Sequence, residues 1–137
     1  MVLGIATLLS RMYTMYHEAT LRMGLTDAEH ITLYILCQNG GSCGKGELYK
    51  KSGLTRMSLS NALNKLLSFE CITVARNPEK TVTLTKKGAE FSEQTVKKVM
   101  DIENEVLTGW DEEDRNALIE LCTRYLTQVG DKINDIK

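Results

Sequence analysis

The chain has 137 residues, 42% of them hydrophobic, 26% charged and only one proline, which fits a single folded and largely helical domain and excludes a disordered or fibrous chain. No run is apolar and long enough to span a bilayer. The apolar opening 1–9 has neither a basic start nor a small-residue cleavage site, so a cytoplasmic chain with no membrane contact is expected. The net charge of −1 excludes nothing by itself, because it is unevenly distributed. Residues 44–88 hold nine cations against three acids, a net of +6; the remaining eight cations and 15 acids give −7. A basic middle between acidic ends is the charge division expected of a lobe that faces nucleic acid.

In chain order, residues 3–23 place Ile5, Leu8, Leu9, Met12, Tyr16 and Ala19 at helical spacing with few charges, and Gly24 ends the helix. Thr26, with Glu29 three residues later, is a capping box that opens a second helix. Ile31, Tyr34, Ile35 and Cys37 continue it until Asn39-Gly40-Gly41 stops it. Residues 42–44 are too short for more than a strand-like connector to a sheet. A short helix over 44–51, built on Leu48, leads through the Ser52-Gly53 turn to a longer helix over 55–67, with Thr55 as N-cap. Leu59, Ala62, Leu63, Leu66 and Leu67 form its apolar face. Its other face carries Arg56, Ser58, Ser60, Asn61, Asn64 and Lys65, with no acid before Glu70, which suits the approach to an anion. The β-branched runs 72–76 and 81–84, joined by Asn77-Pro78-Glu79-Lys80, predict a hairpin.

Helix, turn, helix, hairpin is the order of a winged helix, whose second helix is offered to the DNA major groove. Beyond the hairpin, one long helix is expected over 86–107, carrying Val96, Val99, Met100, Val106 and Leu107. The acids at 111–114 then favour the start of a last helix. Its stripe of Leu118, Leu121, Cys122, Tyr125, Leu126, Val129 and Ile133 has little domain left to pack on. That stripe is therefore expected to meet a second copy, together with Leu8 and Met12 of the first helix.

Within the winged helix, Arg56, Met57, Ser58, Ser60 and Asn61 lie in the first turns of the recognition helix and are the candidates for base edges, where Arg suits guanine and Asn adenine. Lys45, Thr55, Lys65, Arg76, Asn77 and Lys80 are the candidates for phosphate and wing contacts. No nucleophile–base pairing or glycine-rich phosphate loop is present, so an enzyme is not expected. His17 and His30, beside Glu18 and Glu29, match no metal-ligand spacing, and no metal or other cofactor is expected. Of the four cysteines, Cys37 and Cys122 lie on apolar stripes and read as core thiols; Cys43 and Cys71, flanking the winged helix, are the candidates for oxidant sensing.

From 25 to about 126 the chain resembles the MarR-type (multiple antibiotic resistance regulator) winged-helix transcription factors. The features that carry the resemblance are Leu25-Thr26, Glu47-Leu48, Gly53-Leu54-Thr55, Leu63 with Leu66 and Leu67, and above all Val82-Thr83-Leu84-Thr85-Lys86-Lys87-Gly88. The resemblance implies one domain over 1–137, mainly α with a small β-hairpin wing. In it a winged-helix DNA-binding lobe, 25–87, is flanked by dimerisation helices in 1–24 and 88–137. It further implies a homodimer on a pseudo-palindromic operator in double-stranded DNA, responsive to a small-molecule effector bound between the dimer helices and the winged helix.

The chain departs from the family at three places. The wing tip Asn77-Pro78-Glu79-Lys80 is short and lacks the family's arginine, which leaves Arg76 and Lys80 as its cations. Asn61 stands where many members carry arginine. Cys71 takes the position of a usual glycine, with a backbone cost expected if that residue is left-handed. The alternative function is a winged-helix protein-interaction module that has lost DNA binding, against which the retained +6 of the lobe argues.

Overall fold

A computed structural model of the chain describes residues 4–76 and 78–137. They fall into two compact units that divide in the chain between Met100 and Asp101. The first begins with α1 (Ile5–Arg22), followed by α2 (Asp27–Gln38), β1 (Ser42–Gly44), α3 (Lys45–Ser52), α4 (Arg56–Ser68), β2 (Ile72–Ala75), β3 (Thr81–Leu84) and α5 (Lys86–Gln94).

Local chemistry sets most of these boundaries. Thr26 and Glu29 form both halves of the expected capping box: the Glu29 amide donates to Thr26 Oγ1 at 3.1 Å, and the Thr26 amide to Glu29 Oε1 at 3.3 Å. Between α3 and α4 the chain turns at Gly53, whose φ of 68° is left-handed and costs a glycine little. The three strands form one antiparallel sheet in the order β1-β3-β2. The connector 42–44 joins the wing, with Cys43 opposite Val82, and on the other side Val74 also faces Val82.

The core of this unit is built from Leu33 and Leu36 of α2, Leu48 of α3, Leu59, Leu63 and Leu66 of α4, Ile72, Val82 and Val96, all buried. Each such side chain contributes about 1.5–3 kcal/mol on leaving water. In α2 the buried face is broader than the stripe expected from sequence. Thr32, Leu33, Ile35 and Leu36 are buried while Ile31, Tyr34 and Cys37 are only half-buried, because α2 packs against α3, α4, α5 and β1 together. In α4, Leu67 is exposed rather than part of the apolar face.

Two further expectations are corrected. The single helix over 86–107 is two helices, α5 and α6 (Val96–Thr108), interrupted at Thr95, whose φ of −126° and ψ of −96° are not helical. Near the break, the Ser92 hydroxyl donates to the Gly88 carbonyl and the Thr95 hydroxyl to that of Phe91, each at 2.8 Å. Side chains that bond the preceding turn in this way compete with the backbone ladder. The left-handed residue after α4 is Glu70 (φ 61°), not Cys71. The Glu70 amide donates to Leu67 and the Cys71 amide to Leu66, both at 2.9 Å, which is a Schellman termination with glutamate in the place that favours glycine.

The second unit holds the end of α6 and α7 (Glu112–Ile133). Arg115 joins them, its Nη1 donating to the Trp110 carbonyl at 2.6 Å and the Leu107 carbonyl at 3.2 Å. None of α7 is buried, and Ile119, Leu121, Tyr125, Leu126 and Ile133 are exposed. Cys122 is exposed too, so it is not the core thiol its stripe suggested, whereas Cys37 is half-buried and packs against the core of the first unit. In the first unit α1 likewise buries only Thr20 while exposing Leu8, Leu9, Met12 and Met15. Among the described residues no helix is long and apolar enough to cross a membrane.

Candidate nucleic-acid interface

The face of the first unit that presents α4 is built on the α4 N-terminus. Thr55 Oγ1 accepts from the Ser58 amide at 3.1 Å and fills the cap predicted for it. With about 3.6 residues per turn, the buried Leu59, Ala62, Leu63 and Leu66 fix which residues point outward. Met57, Asn61 and Asn64 lie opposite them, at the centre of the solvent side, and Met57 is 74% exposed. Arg56 and Ser60 lie one row over on one flank; Ser58 and Lys65 lie on the other.

These flanks differ in what they meet. On the first, Arg56 and Ser60 line a cleft of about 530 Å³ with Lys45, Tyr49 and Lys50 of α3 and Glu79 and Lys80 of the wing. The Lys45 amide donates to the Lys80 carbonyl at 2.9 Å and so ties the start of α3 to the returning wing strand. The Arg56 guanidinium carbon lies over the Tyr49 ring, 4.5 Å from its centroid. On the other flank, Lys65 Nζ lies over the Phe69 ring at 5.3 Å, away from the cleft.

The sequence candidates therefore divide. Lys45, Arg56, Ser60 and Lys80 come together in the cleft; Met57 and Asn61 form the outward row; Ser58 and Lys65 occupy the far flank; Arg76 is exposed at the end of the wing. Asn77 lies outside the described residues. Tyr49 and Lys50 join the surface without having been singled out, and Asn64, placed on the polar face but given no role, extends the outward row. Asn64 was legible as the next turn of the Met57–Asn61 row, whereas nothing in the sequence pointed to Tyr49.

At the α1–α2 junction, Asp27 accepts from three side chains. Its Oδ2 is 2.8 Å from His17 Nδ1 and 3.0 Å from Tyr13 Oη, and its Oδ1 receives the Thr20 hydroxyl at 2.7 Å. Partial burial raises the Asp27 pKa, but the hydrogen bonds from Thr20, His17 and Tyr13 and the attraction of the imidazole outweigh it, so the carboxyl titrates below its ordinary range. The same carboxylate raises the Tyr13 phenol, through its hydrogen bond and its charge. His17, with no role assigned from sequence, is thus part of the joint that holds α1 to the lobe.

A second cavity, of about 340 Å³, lies between that junction, the end of α4 and α5. Met23, Leu25, Leu66, Phe69 and Phe91 line it, with Glu29 and Lys87 as its charged groups. Cys71 also lines it, and burial pushes its thiol pKa up. Cys43 is buried as well, and burial followed by the Glu47 carboxylate raises it. A raised pKa disfavours the reactive thiolate in both candidates for oxidant sensing. Among the described residues no group of three or more His, Cys, Asp or Glu side chains could hold a metal ion.

No family model matches the chain, and no curated protein matches it. Solved structures do. A MarR family regulator from Neisseria meningitidis aligns with a TM-score of 0.79 at 15% identity, over 95% of this chain and 93% of its own. A MarR family transcriptional regulator from Silicibacter pomeroyi gives 0.71 at 20% identity, over 92% and 90%. BpsR of Bordetella bronchiseptica, whose DNA binding is regulated by 6-hydroxynicotinic acid, gives 0.67 at 21% identity, over 89% and 98%. Together with the α3–turn–α4 pair, the three-stranded wing and the flanking helices, these likenesses establish that the chain has the winged helix-turn-helix fold of the MarR family regulators.

Proposed function

We propose that the chain is a homodimeric, sequence-specific DNA-binding transcriptional regulator that responds to a small ligand. The observation that carries the reading is the α4 surface: an outward row of Met57, Asn61 and Asn64, free of acids, beside a cleft lined by four cations and one carboxylate. Met57, Asn61 and Asn64 read base edges from the outward row, with Ser58 beside them; Asn suits adenine, and the Met57 side chain suits the thymine methyl. Lys45, Lys65, Arg76 and Lys80 contact phosphates, and Thr55 holds the end of the reading helix.

The exposed apolar side chains of α1 (Leu8, Met12) and of α7 (Leu121, Tyr125, Leu126), with Leu118, Cys122 and Val129, are covered by a second copy. Two copies present two reading helices to two half-sites of a pseudo-palindrome. The effector, an aromatic acid in keeping with the ligand of BpsR, enters the 340 Å³ cavity, where Phe69 and Phe91 meet its ring and Lys87 its carboxylate. The protein acts in the cytoplasm, without enzymatic activity of its own.

A footprint of the full chain on duplexes enriched from a random pool, combined with sedimentation of the complex, tests this reading. Two protected segments about 10 bp apart, centre to centre, held by two chains, are expected. One protected segment held by one chain contradicts the dimer, and the absence of enrichment contradicts the regulator.

A further inference from the structure

The sequence motif alone assigns Arg56 to a base edge, since it opens the recognition helix and arginine pairs well with guanine. The structure points elsewhere, and we propose that Arg56 seats a DNA backbone phosphate, with Tyr49 as the residue that positions it. The inference rests on the DNA-binding reading and divides its interface into two rows with different tasks.

Three observations carry it. First, Arg56 is displaced from the outward row. The stripe opposite the buried face of α4 passes through Met57, Asn61 and Asn64, and Arg56 leans from it towards α3 and the wing. Second, the guanidinium shares its cleft with Lys45, Lys50 and Lys80 against the single carboxylate of Glu79. Four cationic residues lining one cleft suit a fully charged phosphate, whereas a base edge offers only partial charges and one or two hydrogen bonds. Ser60, on the same row, adds a hydroxyl of the kind that commonly donates to phosphate oxygens.

Third, the Tyr49 ring holds the guanidinium by one face, 4.5 Å from the ring centroid. Stacking of this kind leaves the N–H edge of arginine open while removing much of its rotamer freedom before DNA arrives. The entropy that binding would otherwise cost is thereby reduced. Tyr49 touches no base or phosphate in this arrangement; it acts through Arg56.

The test is anisotropy titration of the full chain against two labelled duplexes of equal length, one enriched from a random pool by the wild-type protein and one scrambled, over a range of salt. Arg56→Ala is expected to weaken both duplexes by the same factor, within about twofold, and to flatten the log–log salt slope by about 0.9, the share of one phosphate. Tyr49→Phe keeps the ring and is expected to bind as the wild type. Tyr49→Leu weakens both duplexes equally, and adding Arg56→Ala to it costs less than Arg56→Ala does alone.

A fall of roughly tenfold or more in the preference for the enriched duplex, at an unchanged salt slope, makes Arg56 a base reader and overturns the proposal. Additive losses in the double variant overturn the role of Tyr49. Wild-type protein that binds neither duplex at any salt overturns the DNA-binding reading itself, which separates that failure from the other two. Circular-dichroism melts confirm that the exposed Arg56 and half-buried Tyr49 variants remain folded.

Discussion

Gly88 is the third residue of α5, in its first turn, within the returning segment Thr85-Lys86-Lys87-Gly88, and the structure shows why a glycine stands there. A Cβ built on it would lie 1.9 Å from the Cys71 carbonyl oxygen and 2.8 Å from its carbonyl carbon. These are backbone atoms, and they are held in place. The Thr85 amide donates to that same Cys71 oxygen at 2.9 Å, the Thr85 hydroxyl to the Glu70 carbonyl at 2.6 Å, and the Gly88 amide to Thr85 Oγ1 at 3.0 Å. No rotamer change relieves such a clash; α5 must move off the end of α4. Overpacking in a tight site costs about 1–3 kcal/mol, occasionally more, and contact with fixed backbone puts Gly88→Ala at the upper end.

At about 3–4 °C per kcal/mol for a chain of this size, the melting temperature is expected to fall by roughly 10 °C. The control is Gly130→Ala in α7, where a Cβ meets nothing within 4 Å. There the same substitution removes helix-interior glycine and is expected to stabilise by up to about 1 kcal/mol. Calorimetry of the two variants side by side decides the matter. A Gly88→Ala protein that melts with the wild type refutes the close docking of α5 on the α4 terminus.

Three further outcomes follow from local geometry. Thr55→Ala removes the cap of the reading helix and is expected to cost about 1 kcal/mol, measured as a lower urea midpoint at unchanged slope. Glu70→Gly relieves a left-handed residue and is expected to raise stability by about 1 kcal/mol, net of the added freedom of the unfolded chain; a loss of stability would refute the strain. For Asp27 the folded pKa lies below the ordinary 3.8, so its contribution is present above that value and is lost as pH falls through the lower folded pKa. Asp27→Asn is therefore expected to destabilise at pH 7 and to narrow the gap from the wild type below pH 3.8; a gap that is constant with pH would show that the charge of Asp27 does not matter.

Much of this arrangement was legible in the residues. Thr26 with Glu29 and Thr55 with Ser58 announce helix starts through short-range bonds, and β-branched alternation announces the wing, so these elements lie where the sequence placed them. What escaped the sequence depends on packing or on local backbone geometry. The break at Thr95 is a departure of one residue's backbone from helical angles, which a periodic apolar stripe does not register. Leu67 and Cys122 keep helical spacing yet face outward, because spacing gives a face and not what covers it. In the candidate interface, charge asymmetry pointed to the lobe that holds the cation-lined cleft, and the cap pointed to the N-terminus of α4. The partition of its side chains into an outward row and a cation-lined cleft required the position of α3, whose Tyr49, seven residues before Arg56, lies against the guanidinium.

The central claim, that the outward row of α4 reads DNA, is tested most directly by anisotropy titration of the full chain with Met57→Ala and Asn61→Ala combined. The ligand is labelled duplex from upstream of the protein's own gene, with a scrambled duplex as reference. Wild-type protein is expected to prefer the upstream duplex. The double variant is expected to lose that preference while keeping the salt-steep binding common to both, with the slope of about −0.9 per phosphate intact. A double variant that retains the full preference contradicts the account, and wild-type protein that binds neither duplex at low salt would leave the fold as a protein-interaction module.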